Sequence, residues 1–270
     1  MIGTGIRRIG RTTRRTLPIC RALQDISQRR VNISTKVFPS PPSRHLTGTP
    51  PPRMSRRLSL LRDFKCSRDD ISIEFPPSST ADDAAFVDSL VGTINAEYGR
   101  SEVGVVRDGT QRTTVADVAG FLRARHLLVA FFTSPGRPGR REPVGCIVAR
   151  QMSATHGAMS MLAVRAEHHG TGIARDLFRF GEAYCRRAFD ARCMQIELLL
   201  PTRTESAHKT RLQAWYERMG YAVVAKGDFA ADYPDWVPLL LGPADYRIFE
   251  KSLVDPTRDT RSGDQGETDV

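Results

Sequence analysis

The chain has 270 residues, 40% of them hydrophobic and 26% charged, which is enough apolar material for one sizeable core plus extensions. No apolar run reaches the roughly eighteen residues that a bilayer-crossing helix needs, so no membrane span is expected. The net charge of +10 is uneven: residues 1–62 hold 14 of the 40 Lys/Arg and only Asp25 of the 30 Asp/Glu, leaving 26 bases and 29 acids for the rest, a balance that argues against a nucleic-acid-binding core.

The leader "MIGTGIRRIGRTTRRTLPICRALQDISQRRVNIS" is rich in Arg, Ser and Thr and poor in acids, as mitochondrial transit peptides are. An untargeted basic tail on a cytoplasmic protein is the competing reading. The leader has no aromatic residue before Phe38, which disfavours stacking on nucleic-acid bases. Proline-rich "PSPPSRHLTGTPPPR" follows and reads as linker. The expected organisation is a disordered leader over 1–66, a folded domain over 67–253 and a loose polar tail over 254–270.

Within the domain, "ISIEF" (71–75) reads as a strand. Thr80 with Asp83 resembles a capping box, and Phe86, Leu90, Ile94 and Tyr98 then keep step as one helix stripe. A shorter helix is expected over 115–125. "LLVAFF" (127–132) and "VGCIVARQM" (144–152) form a hairpin across a Pro/Gly-rich loop, and "AMSMLAV" (158–164) is the next strand. It leads to "RAEHHGTG" and a helix whose inward face is Ile173, Leu177, Phe180, Tyr184 and Ala188. Arg175, Asp176, Arg179, Glu182, Arg186 and Arg187 are expected on its solvent face. "MQIELLL" (194–200) is a strand, Lys209–Met219 a helix stopped by Gly220, and "YAVVA" and "DYRIFEKSL" the closing strands. This order implies an α+β fold with one sheet and helices on both faces.

A strand that runs into a glycine turn and a helix N-terminus is a ready anion site, because first-turn N–H groups lack partners and glycine lets a ligand approach the backbone. A P-loop needs Lys and Ser or Thr after its last glycine, and Ile173-Ala174 stand there instead. The dinucleotide fingerprint fits poorly, because polar residues separate the strand from Gly170. An ordinary tight strand–turn–helix stays open on these residues alone. The six histidines form no HxH or HExxH pattern, and adjacent His168 and His169 do not point at one ion, so no metal is expected. The five cysteines lack paired spacing; Cys146, Cys185 and Cys193 lie in apolar segments and read as buried thiols of a reducing compartment.

"MLAVRAEHHGTGIARDLF", "MQIELLLP" and "LQAWYERMGY" together resemble the Gcn5-related N-acetyltransferase (GNAT) superfamily. Its acyl-CoA motif is Gln or Arg, any two residues, Gly, any residue, Gly or Ala; here His169, Gly172 and Ala174 take the first, fourth and sixth places. "INAEYGRSEVG", "QRTT" and "YPDWVPLLLGPADYRIFEKSL" are similar to a small-molecule-type fungal and bacterial subgroup, and the likeness spans about 70 to 253.

The resemblance implies a mixed, mostly antiparallel sheet with a splayed parallel strand pair at the acyl-CoA site. It implies acetyl-CoA as co-substrate and no metal. The pyrophosphate would lie on the backbone of His169, Gly170, Thr171, Gly172, Ile173 and Ala174, and the thioester along Met161, Leu162, Ala163 and Val164. Tyr216 takes the family's tyrosine place as general acid. Glu197 is a candidate base or simply an outward strand residue. Glu102 and Arg112 border the acceptor pocket, to select substrate or to pair as a structural bridge. The implied activity is acetyl transfer to an amine, of a small molecule, by a monomer or homodimer. A non-catalytic acyl-CoA binder and a protein N-terminal or lysine acetyltransferase are the alternatives.

Overall fold

The structure is a computed structural model and describes residues 66–68, 70–134 and 139–254. The expected leader and tail lie outside these residues, except at Cys66 and Val254. Eight strands form one sheet: β1 (Cys66–Arg68), β2 (Ile71–Glu74), β3 (Leu127–Thr133), β4 (Arg141–Gln151), β5 (His156–Val164), β6 (Cys193–Pro201), β7 (Ala222–Lys226) and β8 (Ala244–Ser252). Their spatial order is β1-β2-β3-β4-β5-β6-β8-β7. Every neighbouring pair is antiparallel except β5–β6, which is parallel. The α+β reading and the mixed sheet are as expected.

The described helices are α1 (Ala84–Ser101), α2 (Val115–Arg123), α3 (Ile173–Phe189), α4 (Ala207–Arg218) and the single turn α5 (Phe229–Asp232). They cover both faces of the sheet. Side chains alternate along a strand, so Leu128 and Ala130 of β3 join the cluster built around α3, with Leu177, Phe178 and Tyr184. Leu127, Val129 and Phe131 join the cluster on the other face with Leu90 and Ile94 of α1 and Val118 and Leu122 of α2. The five residues of the expected α3 stripe are all buried.

Three expectations need correction. The cap of α1 is Asp83, whose carboxylate accepts from the Phe86 N–H, while Thr80 sits in a 3-10 turn and bonds Pro77 O. A reciprocal capping box does occur, at Thr114 and Asp117 of α2. Glu182 is not on the solvent face: it is 8% exposed, and Tyr221 Oη (3.0 Å) and Lys251 Nζ (2.8 Å) donate to its carboxylate. Cys193 is half-buried rather than buried.

The segment after β7 carries structure that apolar periodicity did not reveal. Helix α5 and a 3-10 turn (Pro234–Leu239) fold over Phe229, Tyr233 and Trp236, which pack with Val105, Val106 and Tyr246. The loop after α1 is stitched to this segment by a Val106–Leu240 bridge and by Arg107 N to Leu239 O and Leu241 N to Val105 O bonds.

Candidate active site

The site begins where β5 leaves β6. Their ladder is three pairs long, His156 with Cys193, Gly157 with Met194 and Ala158 with Gln195. Beyond Ala158 the strands separate, so the edge of Met159–Val164 that faces β6 has no β-ladder there. A bulge sharpens the divergence. Cys146 of β4 opposes Ala163 and Val148 opposes Ser160, so β5 carries one more residue than β4 in this interval. Met161 takes up the extra length in the left-handed region, at φ 54°, fully buried. That conformation costs a non-glycine residue about 1–2 kcal/mol.

A cavity of about 280 Å³ fills the gap. Met161, Leu162, Ala163 and Val164 line one side, and Ile196, Glu197 and Leu198 of β6 the other. Helix α4 supplies Lys209, Leu212 and Tyr216 at helical spacing, and α1 supplies Glu97, Tyr98 and Ser101. Glu102 and Arg112 close the end nearest α1.

The glycine turn stands at the rim. Gly170 (φ 78°) and Gly172 (φ 91°) both adopt the left-handed region that glycine tolerates without strain. Gly172 is the N-cap of α3 and gives no side-chain cap to the first-turn N–H groups. A Cβ at Gly170 would meet nothing within 4 Å, so the turn is open on its outer side. His169 Nε2 lies 2.8 Å from Val164 O and 3.1 Å from Glu97 Oε2, which ties the turn to the end of β5 and to α1. His169 and Ala174 reach the cavity wall, whereas Gly170, Thr171, Gly172 and Ile173 do not. Ile173 turns its side chain into the core.

Tyr216 is 8% exposed among Phe178, Trp215, Tyr221 and Phe249, and it borders the cavity. Burial pushes its hydroxyl above the usual tyrosine range, so it keeps its proton at neutral pH. Glu197 receives a 2.6 Å hydrogen bond from Tyr233 Oη and a 3.2 Å bond from Gln195 Nε2. Burial raises its carboxyl above the usual range, against the pull of the Tyr233 and Tyr246 hydroxyls and the Arg150 cation.

Glu102 is the anion of a cationic corner. Its Oε1 lies 3.6 Å from Lys209 Nζ and 3.9 Å from Arg112 Nη1. The Arg112 guanidinium sits between the rings of Tyr98 (4.5 Å) and Trp236 (5.1 Å). Burial lowers the Lys209 ammonium from its ordinary range, with Glu102 opposing. Sequence reasoning missed Lys209, Tyr233 and Arg150. The spacing Lys209, Leu212, Tyr216 carries the signal for the first, since i, i+3 and i+7 share a helix face.

Residues 123–223, from the end of α2 into β7, match the acetyltransferase (GNAT) domain family. No curated protein matches. Among solved structures, an aminoglycoside 6'-N-acetyltransferase complexed with coenzyme A is similar at 12% identity, over 68% of this chain and 97% of that one (TM-score 0.48). The NatC complex bound to Gag peptide and CoA is similar at 19% identity, over 68% and 99% (TM-score 0.47). An acetyltransferase from Streptococcus agalactiae is similar at 15% identity, over 69% and 100% (TM-score 0.47). The matched segment holds the splayed pair, the bulge, the glycine turn and Tyr216 in one continuous run. Over residues 123–223 the chain is thus similar to the GNAT acetyltransferase family.

Proposed function

We propose that the protein transfers an acetyl group from acetyl-CoA to the amine of a small molecule, by direct attack within a ternary complex. The carrying observation is the gap between β5 and β6, opened by the Met161 bulge and ending at an uncapped helix N-terminus. Two left-handed glycines, an open turn surface and a helix N-terminus without a side-chain cap fit a pyrophosphate. The backbone of His169 to Ala174 would hold it, with the positive end of the α3 dipole behind.

Acetyl-CoA supplies an activated thioester. The chemistry is then R–NH₂ plus acetyl-S-CoA giving the N-acetyl amine and free CoA thiol. Backbone N–H groups of Met161–Val164 on the open β5 edge are the donors for the oxyanion, a role worth about 3 kcal/mol per donor. An acceptor with a lysine-like pKa near ~10.4 is about one part in a thousand neutral at pH 7, so a base helps. Glu197, with its raised pKa, takes the amine proton directly or through water. Tyr216, kept protonated by burial, gives a proton to the departing sulfur.

The stitching of the α1 loop to the segment before β8 favours a small acceptor. Those two loops are joined by backbone hydrogen bonds, and an extended peptide laid between them would need them apart. Glu102, Arg112 and Lys209 then serve as the floor of the acceptor pocket. For the leader, the proposal is mitochondrial targeting; a reporter fused to residues 1–62 should enter mitochondria, and cytosolic retention would refute it.

Gly172→Glu tests the site. The side chain would be strained at φ 91° and would set a carboxylate where phosphate belongs. Calorimetry should show acetyl-CoA binding abolished with the circular dichroism spectrum unchanged. Unchanged affinity would end the pyrophosphate assignment.

A further inference from the structure

At the closed end of the β5–β6 pair, opposite the cavity, three metal-binding side chains converge. His156 opens β5, Cys193 opens β6 as its parallel partner, and Glu250 lies on β8, beside both. One imidazole nitrogen, the thiol sulfur and one carboxylate oxygen all lie within 4.8 Å of one another. His156 Nε2 is 3.9 Å from Glu250 Oε1. All three residues are half-buried.

We propose that His156, Cys193 and Glu250 form a zinc site that clamps β5, β6 and β8 together at the point from which the cleft opens. The donor set is one imidazole, one thiolate and one carboxylate. Zinc takes such a set with a water as fourth ligand, whereas magnesium and calcium prefer oxygen alone. Bond lengths of about 2.0–2.3 Å around a tetrahedral zinc put its ligand atoms about 3.3–3.7 Å apart. The three groups are thus within about 1.5 Å of that spacing without any backbone change.

The surroundings fit as well. His156 Nδ1 lies 2.9 Å from Thr155 Oγ1 and 3.3 Å from Ser153 Oγ. With Nδ1–H donated to these hydroxyls, Nε2 is left as the ligating lone pair, which is how metal-bound imidazoles are oriented. Thr155 is itself fixed, because its carbonyl accepts from the N–H groups of Arg192 (2.8 Å) and Cys193 (3.1 Å). Charge balances too: a divalent ion with one thiolate and one carboxylate is neutral, which suits a half-buried place. A thiol that ligates zinc gives up its proton. Binding would release that proton: Zn²⁺ plus Cys–SH gives the zinc thiolate and H⁺.

The ligands escaped motif reading because they are 37 and 57 residues apart in sequence and meet only through the sheet order. A clamp here acts on the sole stretch where β5 and β6 are paired. It would stiffen the hinge of the cleft without touching the reacting groups.

The test uses the full chain, stripped of metal by a chelator and titrated with Zn²⁺, then with Co²⁺. Expected are one zinc equivalent that raises the thermal midpoint, protection of Cys193 from alkylation in mass spectrometry, and a thiolate-to-cobalt charge-transfer band. Cys193→Ser should abolish the band, and Glu250→Gln should weaken zinc binding by more than the roughly 10–100-fold that losing an outer-shell partner costs. Thr155→Val, which touches only the hydrogen bond behind His156, should cost about tenfold. Glu250→Gln and Thr155→Val keep the test decisive if the cysteine variant fails to fold. Zinc binding of equal strength in Glu250→Gln and the parent, or alkylation of Cys193 at the same rate with and without zinc, would overturn the proposal.

Discussion

Tyr233 donates a 2.6 Å hydrogen bond to Oε2 of Glu197, from the turn after β7 to the middle of β6. This bond favours the ionised carboxylate, while burial favours the neutral acid, and burial is the larger effect. The phenol therefore restrains how far the carboxyl rises, and its removal has a definite sign.

Tyr233→Phe should push the Glu197 carboxyl higher still. A general base works only when ionised, so activity falls as pH drops through its pKa. The acid limb of kcat against pH should move to higher pH in the variant, with kcat recovering at alkaline pH. An unmoved limb would remove Glu197 from the role of base.

Tyr216→Phe should lower kcat by ~100-fold, with little change in the KM for acetyl-CoA. The ring contacts with Phe178, Trp215 and Phe249 survive the change, so thermal stability should hold. Loss of a contact made only in the transition state depresses kcat and kcat/KM together. A thiolate is a fair leaving group, which limits the effect. Full activity of Tyr216→Phe would make the residue a packing aromatic and nothing more.

Much of this architecture was legible in the sequence because it rests on local periodicity. The α3 stripe, the hairpin of β3 and β4 and the run from Met161 to Ala174 each announce themselves over ten to twenty residues. Glu182 was misplaced because helical spacing marks a face, and a lone carboxylate at the margin of that face is drawn inward only by Lys251 and Tyr221, which lie far along the chain. Thr80 and Asp83 have the spacing of a capping box, although the helix starts at Ala84 and uses Asp83 alone as its cap. The segment 229–240 gave no periodic signal, since its order comes from aromatic packing against β8 and the α1 loop. Lys209 was hidden by its type: lysine is almost never buried without a partner, and its partner Glu102 is on another helix end.

Acid should destabilise the domain through His126. Burial, helped by the Arg150 cation, holds this imidazole down to about 4. The unfolded chain titrates near ~6.5, so between those values it binds more protons than the folded state. Stability is therefore full above about pH 6.5 and is lost as pH falls toward 4, by up to about 3 kcal/mol. Urea denaturation at pH 7 and pH 4.5 should show this loss, and His126→Gln should show a smaller one. Equal losses in both proteins would assign the acid sensitivity elsewhere.

Release of free thiol from acetyl-CoA tests the central claim most directly. The full chain is incubated at pH 7.5 with acetyl-CoA and, in turn, polyamines, amino acids, amino sugars and short peptides, and the products are identified by mass. Thiol release that depends on a small amine, matched by its N-acetyl product and absent in Gly172→Glu, is the predicted result. Acetyl-CoA binding without thiol release for any amine would contradict transfer, and acetylation confined to the peptides would contradict a small-molecule acceptor.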